Sequence, residues 1–490
     1  MLFNSVDFVV FFFIVITVVT IIKYRKFQHL FLLVSSYFFF YYTSNYLITL
    51  LIFTTIWDFY FGNIIYKSKN IRSKKLVLIV SLAGNLGLLG FFKYADFAIM
   101  QLNFLGQQFD LSAQIPLLHL ALPIGISFYT FHSITYTVSI YRGQMEPVKS
   151  FTEYAIFVAF FPQLVAGPIL RAYEFLPQLR DNLKNSEMGK RLRLIVLHNH
   201  NLKLGITLMA FGFFKKMFFA DNISPMINTV FSNPTGLESL TIIFATIGFG
   251  IQIYADFSGY SDIAIGSALI LGFKIPINFN KPYFATSPSD FWRRWHISLS
   301  TWLRDYLYVP LGGNRKSPLR TYTNLIIVMF LGGLWHGASW NFVIWGLLHG
   351  LYLSIHRILT NKFTNNNILK FFSTTSGKLI SVLVTQYFVF LAWIPFRVRD
   401  VDYMLYSMEK YILFDFEWSN TFEFISTQKL PFVLMFSFLI LNYFTFRKKN
   451  LPEQISQWKL KYWLIFLIII ISLIIFFYDG EPENFIYFQF

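Results

Sequence analysis

The chain of 490 residues contains no cysteine. This absence excludes disulfide bonds, thiolate metal sites and a cysteine nucleophile. An acyl group held covalently by this chain would therefore need a serine, threonine, tyrosine, lysine or histidine. The sequence also lacks a His-Glu-x-x-His pair, a phosphate-binding loop of the GxxxxGKS/T type and a GxSxG nucleophile turn. We predict no metal site, because the Asp and His residues lack ligand spacing.

Charged residues are scarce, at 13% of the chain, and acidic residues are outnumbered 25 to 41 by basic ones. Hydrophobic residues make up 55% and the mean hydropathy is +0.51. Long apolar runs recur from end to end, so we predict an all-α polytopic membrane protein. The net charge of +16 is also typical of nucleic-acid-binding proteins. Here the basic residues lie in short loops beside apolar runs, so we expect membrane lipids and no nucleic acid as partners.

The pattern predicts about eleven membrane spans plus one or two re-entrant pieces. The first residues carry Asp7 and no base, whereas Lys23, Arg25 and Lys26 follow the first span. We therefore expect an uncleaved N-terminus outside the cytoplasm and a cytoplasmic basic loop at 67–75. The apolar segments behind this approximate count, of which 263–273 is short, are 6–22, 28–43, 46–62, 76–95, 121–141, 204–220, 238–256, 263–273, 322–338, 340–358, 378–396, 430–446 and 462–478.

Four local expectations accompany these spans. Residues 96–120 are predicted to be external, and the polar stretch 171–203 cytoplasmic. The segment 152–170 is broken by Pro and Gly and has basic residues on both sides, which favours a re-entrant hairpin over a Pro-kinked spanning helix. Asp256 and Asp262 stand at the edge of a span, and we expect them to bond to backbone or to pair with arginine rather than to act in catalysis.

His336 is the strongest candidate for chemistry. It ends an apolar run and has Gly332, Gly333 and Gly337 around it, which leave room for a ligand. An ionisable group at membrane depth is costly and therefore indicates function. A histidine of near-neutral pKa can take a proton from an alcohol or give one to a leaving group. The alternative is a core histidine satisfied by a helix carbonyl.

A second cluster of Arg, Trp and His precedes His336. Arg293 and Arg294 stand beside Trp295 and His296, a composition that suits a phosphate-rich ligand such as a coenzyme. The alternative is an interfacial anchor helix, with arginine on lipid headgroups and tryptophan at the interface. His349 lies thirteen residues beyond His336, which is not a same-face helical spacing, so we interpret it as structural.

Seven motifs together resemble one family. The sequence is similar to the membrane-bound O-acyltransferases (MBOAT), in the bacterial branch that O-acetylates alginate or peptidoglycan. The order and rough spacing of the motifs agree with that family from about 120 to 400. One departure is His132, where the family usually has Gln. The motifs lie at 122–131, 161–168, 256–262, 278–283, 291–296, 333–337 and 393–397.

The resemblance implies an MBOAT-type bundle of about eleven transmembrane helices and re-entrant helices around a central tunnel, as a single domain over 1–490. It places the family's invariant histidine at His336 and its second polar position at His296. Whether His296 or His349 assists His336 stays open. The family takes an acyl group from a cytoplasmic thioester, here acetyl-CoA, and no permanently bound cofactor is expected. The candidate donor-binding residues are Arg293, Arg294, Trp295 and Arg304.

The resemblance also implies that this chain lies in the inner membrane of a bacterial cell and has an extracytoplasmic, periplasmic O-acetyltransferase as partner. The acceptor polysaccharide, peptidoglycan or alginate, stays open. A transporter or flippase of an envelope polymer or lipid-linked sugar is the alternative function. Such a protein should show paired repeated halves with matching broken helices, and the sequence shows none.

The tail after the last predicted span, 479–490, is aromatic and predicted to be external. It resembles the aromatic tail of relatives and of small partner proteins in which a tyrosine is proposed as acyl acceptor. Tyr487 carries the only hydroxyl of the last six residues. We hypothesise that Tyr487 inserts toward His336 and carries the acetyl group. The alternative is an interfacial aromatic anchor.

Overall fold

The computed structural model describes residues 1–22, 24–110, 114–164, 167–181, 199–362, 367–448, 450–478, 480, 483 and 485–488. Two residues of the predicted re-entrant segment, most of the polar stretch 171–203 and much of the predicted tail 479–490 lie outside these ranges. Every regular element within them is helical, so the all-α prediction is confirmed.

The α-helices are α1 Val6–Ile21, α2 Arg25–Ser44, α3 Ile48–Lys67, α4 Ile71–Gln108, α5 Ile126–Tyr141, α6 Phe151–Ala159, α7 Phe161–Leu164, α8 Ala172–Phe175, α9 Gln178–Asp181, α10 Asn199–Phe213, α11 Asp221–Ser232, α12 Ser239–Ile270, α13 Pro288–Arg294, α14 Ile297–Leu303, α15 Pro318–His336, α16 Trp340–Lys362, α17 Asn367–Ser373, α18 Thr375–Arg397, α19 Val401–Ile412, α20 Ser419–Thr427, α21 Lys429–Arg447, α22 Leu451–Ser456 and α23 Leu460–Phe476. Two π-helical turns, Phe214–Ala220 and Arg304–Tyr308, and three 3-10 turns, Asn45–Leu47, Pro282–Phe284 and Ile486–Phe488, complete the regular structure of the described ranges.

Several of these helices are long and apolar enough to cross a membrane, so the chain is a polytopic membrane protein. By length and composition there are six such segments among the residues described, and two shorter apolar helices, α1 and α23, accompany them. The count of eleven spans and the tunnel stay predictions. The six segments are Arg25–Lys67, Ile71–Gln108, Ser239–Ile270, Trp340–Lys362, Thr375–Arg397 and Lys429–Arg447.

Two boundaries differ from the sequence-based prediction. The helix α4 continues through Asp96 to Gln108, although residues 96–120 were expected to form an external segment. The spans predicted at 238–256 and 263–273 are one continuous helix, α12, so Asp256 lies inside a helix and not at its edge. The segment 152–170 is broken, as predicted, with α6 ending at Ala159 and Phe160 leaving the helical conformation; whether it re-enters the membrane stays a prediction.

Contacts divide the chain into two compact units. The first comprises Met1–Met209 and Ser261–Pro276. Its helices α3 and α5 approach closely at Gly62, where an added Cβ would lie 2.6 Å from the ring of Tyr136. The buried carboxylate of Asp58 in α3 accepts hydrogen bonds from Ser81 Oγ at 2.7 Å and from Asn85 Nδ2 at 2.8 Å. The carboxylate of Asp58, inside an apolar helix, thus finds its partners within the unit, as low polarity requires.

The second unit comprises Ala210–Tyr260 and Ile277–Phe490. In it, α15 packs against α16 with backbones in direct contact. A Cβ on Gly333 would collide with the carbonyl of Phe342, and one on Gly346 with the carbonyl of Met329. Small residues permit this close approach between apolar helices. The glycine pair therefore fixes the end of α15, which carries His336, against α16.

The start of α12 is fixed by two carboxylates in the second unit. Glu238 accepts hydrogen bonds from the amide and the hydroxyl of Thr421, at 2.8 and 2.6 Å. Asp415 accepts from the amide of Ser239 at 3.1 Å and pairs with Lys410 Nζ at 2.8 Å. Acceptors at a helix N-terminus satisfy amides that have no partner within the helix. These bonds anchor the helix that carries Asp256 and Phe257.

Candidate active site

His336 is the last residue of α15 and is buried, at 6% exposure. Aromatic rings surround its imidazole. The ring centroids of Trp335 and Trp345 lie 4.9 Å away, that of Phe396 5.2 Å and that of Tyr487 5.4 Å. The neighbours come from α15, α16, α18 and the C-terminal 3-10 turn. The imidazole is thus held in an apolar enclosure that includes one phenol.

His296 lies between α13 and α14 in the left-handed conformation, with φ 41°, and is fully buried. Its Nδ1 is 3.1 Å from Asn278 Oδ1, which also accepts from the amide of Ser298 at 3.2 Å and from its hydroxyl at 2.9 Å. The Asn278 carbonyl accepts from the amide of Ile297 at 2.9 Å. Side-chain and backbone bonds to one asparagine therefore hold His296 in a conformation that is rare outside glycine.

These bonds define which nitrogen of His296 carries the proton. An amide N–H is always a donor, so the Ser298 amide requires an acceptor and fixes the oxygen of Asn278 toward it. His296 Nδ1 must then donate to the same oxygen, and in the neutral ring Nε2 is the bare nitrogen. Nε2 is buried and has no hydrogen-bond partner among the described residues. It is therefore available to a substrate or to a hydroxyl.

The structure brings His296, His336 and Tyr487 together through shared neighbours. The ring of Trp335 lies 6.0 Å from His296 and 4.9 Å from His336. The ring of Phe257 lies 4.6 Å from His296 and 4.7 Å from Tyr487. Residues separated by up to 230 positions, from Phe257 to Tyr487, thus line one aromatic site within the second unit.

The four candidate donor-binding residues do not share one environment. Arg293 and Arg304 are exposed, and Arg304 pairs with the carboxylate of the next residue at 2.8 Å. Arg294 is half-buried and pairs with Asp290 at 2.9 Å. Trp295 is enclosed at 1% exposure among other aromatic rings. Arg293 is thus exposed to an anionic ligand, Arg294 and Arg304 already pair with a carboxylate, and Trp295 lies in the aromatic core.

His349 contacts Trp345, as His336 does. Its ring stacks on Phe291 at 5.9 Å and contacts Trp345 at 4.8 Å and Trp292 at 5.1 Å. The residue is fully buried, and within the described part of the chain neither ring nitrogen has a hydrogen-bond partner. Of the two histidines that could assist His336, His296 is the one that also adjoins a neighbour of Tyr487.

Comparison with known proteins decides the family. The family model described as MBOAT, membrane-bound O-acyltransferase family, matches residues 141–392. The chain is 38% identical over 379 residues to the peptidoglycan O-acetyltransferase of Helicobacter pylori, covering 72% of this chain and 68% of that protein. The chain belongs to the membrane-bound O-acyltransferase family. This acyltransferase is also 40% identical over 333 residues to the "Probable alginate O-acetylase AlgI" of Azotobacter vinelandii, over 68% of this chain and 62% of that protein.

A relative of lower identity is named for the transfer of a different acyl group, D-alanyl. The acyltransferase is 29% identical over 242 residues to the teichoic acid D-alanyltransferase of Streptococcus thermophilus, covering 48% of this chain and 56% of that protein. The higher identity lies with the two O-acetylating relatives. The resemblance inferred from the sequence motifs is therefore confirmed at the level of the family, and the roles of individual residues stay predictions.

Two groups of this acyltransferase were not predicted as part of its site. Asn278 belongs to a family-like motif, but nothing in its sequence neighbourhood signals that it holds His296. Asp256 was expected to bond to backbone or to pair with arginine. It does accept from a backbone amide, that of Ile486 at 2.7 Å, but its charged partner is Lys216 at 2.9 Å. The sequence feature that could have indicated this ion pair is Lys216, which stands between apolar runs 40 residues before Asp256.

Proposed function

We propose that this acyltransferase moves acetyl groups from cytoplasmic acetyl-CoA across the bacterial inner membrane for O-acetylation of an extracytoplasmic polysaccharide. Peptidoglycan and alginate are the acceptors named for its O-acetylating relatives. An extracytoplasmic O-acetyltransferase completes the transfer in this proposal, and the N-terminus lies outside. The basic loops that follow the first and third predicted spans support that orientation.

The observation that carries the proposal is the position of Tyr487 beside His336, with ring centroids 5.4 Å apart. A chain without cysteine needs an oxygen or nitrogen nucleophile for any acyl-enzyme. In the proposed step the Tyr487 oxygen attacks the thioester carbonyl, a C–O bond forms and the C–S bond breaks. The phenolic proton moves to His336 and then to the leaving thiolate, which departs as a thiol.

A second transfer returns Tyr487 to its starting state. A hydroxyl of the partner or of the polymer attacks the tyrosyl ester, its proton replaces the acetyl group on the phenol oxygen, and His336 again moves the proton. His296 supplies the second polar group through its bare Nε2. The apolar enclosure favours both steps because water, the competing nucleophile, is displaced by aromatic side chains.

The donor enters beside Arg293 and Arg294 in this proposal. Both guanidinium groups carry fixed charge and can bind phosphate oxygens, although Arg294 already pairs with Asp290. Arg304 is a third candidate, although its pairing with Asp305 reduces its free charge. Trp295 supports the loop from the core side and does not contact the donor, because it is enclosed.

His336→Ala and His336→Gln test the role of the histidine. General acid–base catalysis contributes about 100- to 10,000-fold, so both variants should lose O-acetylation of the polymer by that factor at unchanged membrane abundance. His200→Ala is the matched control, because His200 is exposed in α10. Loss of polymer export in the His336 variants would contradict the proposal and favour the transporter.

Tyr487→Phe tests the tyrosine and removes a single oxygen atom. O-acetylation should fall to the level of His336→Ala, and radiolabelled acetyl from acetyl-CoA should no longer be recovered on the C-terminal peptide. Tyr478→Phe is the control, since Tyr478 is 40% exposed after α23. Full activity of Tyr487→Phe would refute the acyl-carrier role while leaving His336 as the base for a direct acceptor.

A further inference from the structure

The C-terminal segment 485–487 is seated in the second unit by two kinds of contact. The ring of Phe485 lies 4.3 Å from that of Tyr260, and both residues are fully buried. The amide of Ile486 donates to Asp256 Oδ2 at 2.7 Å. The ring contact buries apolar surface and tolerates sliding, whereas the hydrogen bond from the Ile486 amide is directional. The hydrogen bond is therefore the contact that fixes the position of the neighbouring residue Tyr487.

The carboxylate that accepts this bond belongs to a buried ion cluster. Asp256 Oδ1 lies 2.9 Å from Lys216 Nζ, and the same Nζ lies 2.7 Å from Asp221 Oδ1. The side chains of Asp256 and Lys216 are only 3% and 2% exposed. A buried charge needs a counter-charge and further hydrogen bonds to offset its lost hydration. Lys216 orients one oxygen of Asp256, and the tail amide satisfies the other.

Helix packing explains why the cluster forms at this place. Lys216 lies in the π-helical turn Phe214–Ala220, and Asp256 lies in the middle of α12. A Cβ on Gly259 would lie 2.8 Å from the Gly212 carbonyl and 3.2 Å from the Lys216 amide. The missing side chain lets the turn approach α12 closely enough for Lys216 to reach Asp256.

We propose that Asp256 is a positioning residue that holds the C-terminal tail so that Tyr487 stays beside His336. Lys216 orients the carboxylate, and the Ile486 amide is the group that Asp256 binds. This inference rests on the proposed role of Tyr487 as acyl carrier. Because the bond from the Ile486 amide to Asp256 is charge-assisted, its loss should change the ratio of bound to released tail by about 10- to 100-fold.

The first experiment measures the tail itself and not the reaction. The chain has no cysteine, so Ile486→Cys supplies a single thiol, on a residue that is 3% exposed and keeps its amide. A membrane-impermeant maleimide should label it slowly in the otherwise unchanged protein. Adding Asp256→Ala should raise the labelling rate about 10-fold or more, following the released fraction.

Asp221→Asn is the matched control for this labelling. It weakens the same ion cluster at Lys216 but leaves the Asp256 oxygen that accepts the tail amide. Labelling should stay within about twofold of the parent, as expected if the cluster matters to the tail only through Asp256. Equal labelling in the Asp256→Ala and Asp221→Asn backgrounds would overturn the proposal, because Asp256 would then serve only the packing of the cluster.

The second experiment removes the donor instead of the acceptor. Ile486→Pro deletes the amide hydrogen at the first residue of the 3-10 turn Ile486–Phe488, where proline is tolerated. Asp256→Ala and Ile486→Pro should each lower O-acetylation, and the double variant should be no worse than either. If the activity losses of the two single variants multiply in the double variant, the two residues act independently and the inference is overturned.

The two readouts separate this inference from the proposed function. Rapid labelling of Ile486→Cys in the Asp256→Ala background, together with full activity of Tyr487→Phe, would support the role of Asp256 in holding the tail and refute the acyl-carrier role. Slow labelling in the Asp256→Ala background would refute the role of Asp256, whatever the activity of Tyr487→Phe. A thermal melt of each variant accompanies the labelling, and labelling below the melting transition reports release of the tail rather than unfolding.

Discussion

Asn278→Ala is expected to inactivate the protein by releasing His296. The Asn278 oxygen accepts from Ser298 N–H, from the Ser298 hydroxyl and from His296 Nδ1. Alanine removes this acceptor from a site where both partners are buried. The hydroxyl can rotate toward another acceptor, but the amide and the ring N–H cannot. Each buried donor left unpaired costs about 1–3 kcal/mol, so the folded state loses about 2–6 kcal/mol.

The same bonds support the backbone of His296. A left-handed conformation at a residue other than glycine costs about 1–2 kcal/mol and persists only where its surroundings enforce it. Without Asn278 the loop between α13 and α14 can relax, which moves the Nε2 atom and allows the other tautomer. Misplacing a catalytic group by about 1 Å can lower the rate about 100-fold.

The assay is transfer of acetyl groups from radiolabelled acetyl-CoA in membranes, at a temperature well below the melting transition of each variant. Asn278→Asp keeps two oxygen acceptors and should retain more activity than Asn278→Ala. Asn280→Ala is the control, because Asn280 is exposed and bonds through its backbone. Full activity of Asn278→Ala would refute the reasoning, since His296 would then need neither its tautomer nor its position.

Three further predictions concern packing, the donor side and pH. Gly333→Ala places a methyl group against an α16 carbonyl and should lower the melting temperature, whereas Gly87→Ala, with open space around its Cβ, should be neutral or stabilising by up to about 1 kcal/mol. Arg293→Ala should raise the KM for acetyl-CoA several-fold with little change in kcat; an unchanged KM would remove Arg293 from the donor site. Burial would raise the pKa of Asp415, but hydrogen bonds from Lys410 and two amides lower it from 3.8 to about 2. Its stabilising contribution is therefore full above about pH 4 and is lost as pH falls towards 2. Accordingly, the difference in melting temperature between the parent and Asp415→Asn should shrink over that range.

The helices were predictable from the sequence because their signal is local. Apolar runs define α1, α16 and α18 to within a few residues. The predicted break after Asp256 was wrong for a physical reason. A carboxylate within an apolar run indicates a span end only if it has no partner, and its partner Lys216 lies 40 residues earlier. Pairing between distant residues leaves no mark in the local pattern, so α12 was divided in two.

The site was partly predictable for the same reason. The glycine-flanked His336 and the aromatic tail carry local signals, and the structure places the rings of His336 and Tyr487 side by side. No local signal shows which residues of the Arg, Trp and His cluster at 293–296 are buried and which are exposed. Which of its side chains face outward depends on the packing of α13, and this packing encloses Trp295 but leaves Arg293 exposed.

The two histidines proposed to react stand at helix ends, whereas the groups that position the site stand inside elements or bond to backbone. His336 ends α15 and His296 separates two helices. Glutamine in place of His336 keeps an uncharged side chain with both a donor and an acceptor, so this variant should melt close to the parent while losing activity. Asp256 and Asn278 hold buried donors, and their alanine variants should lose stability and activity together. A His336→Gln protein that melts as low as Asn278→Ala would show that His336 is itself a structural core residue.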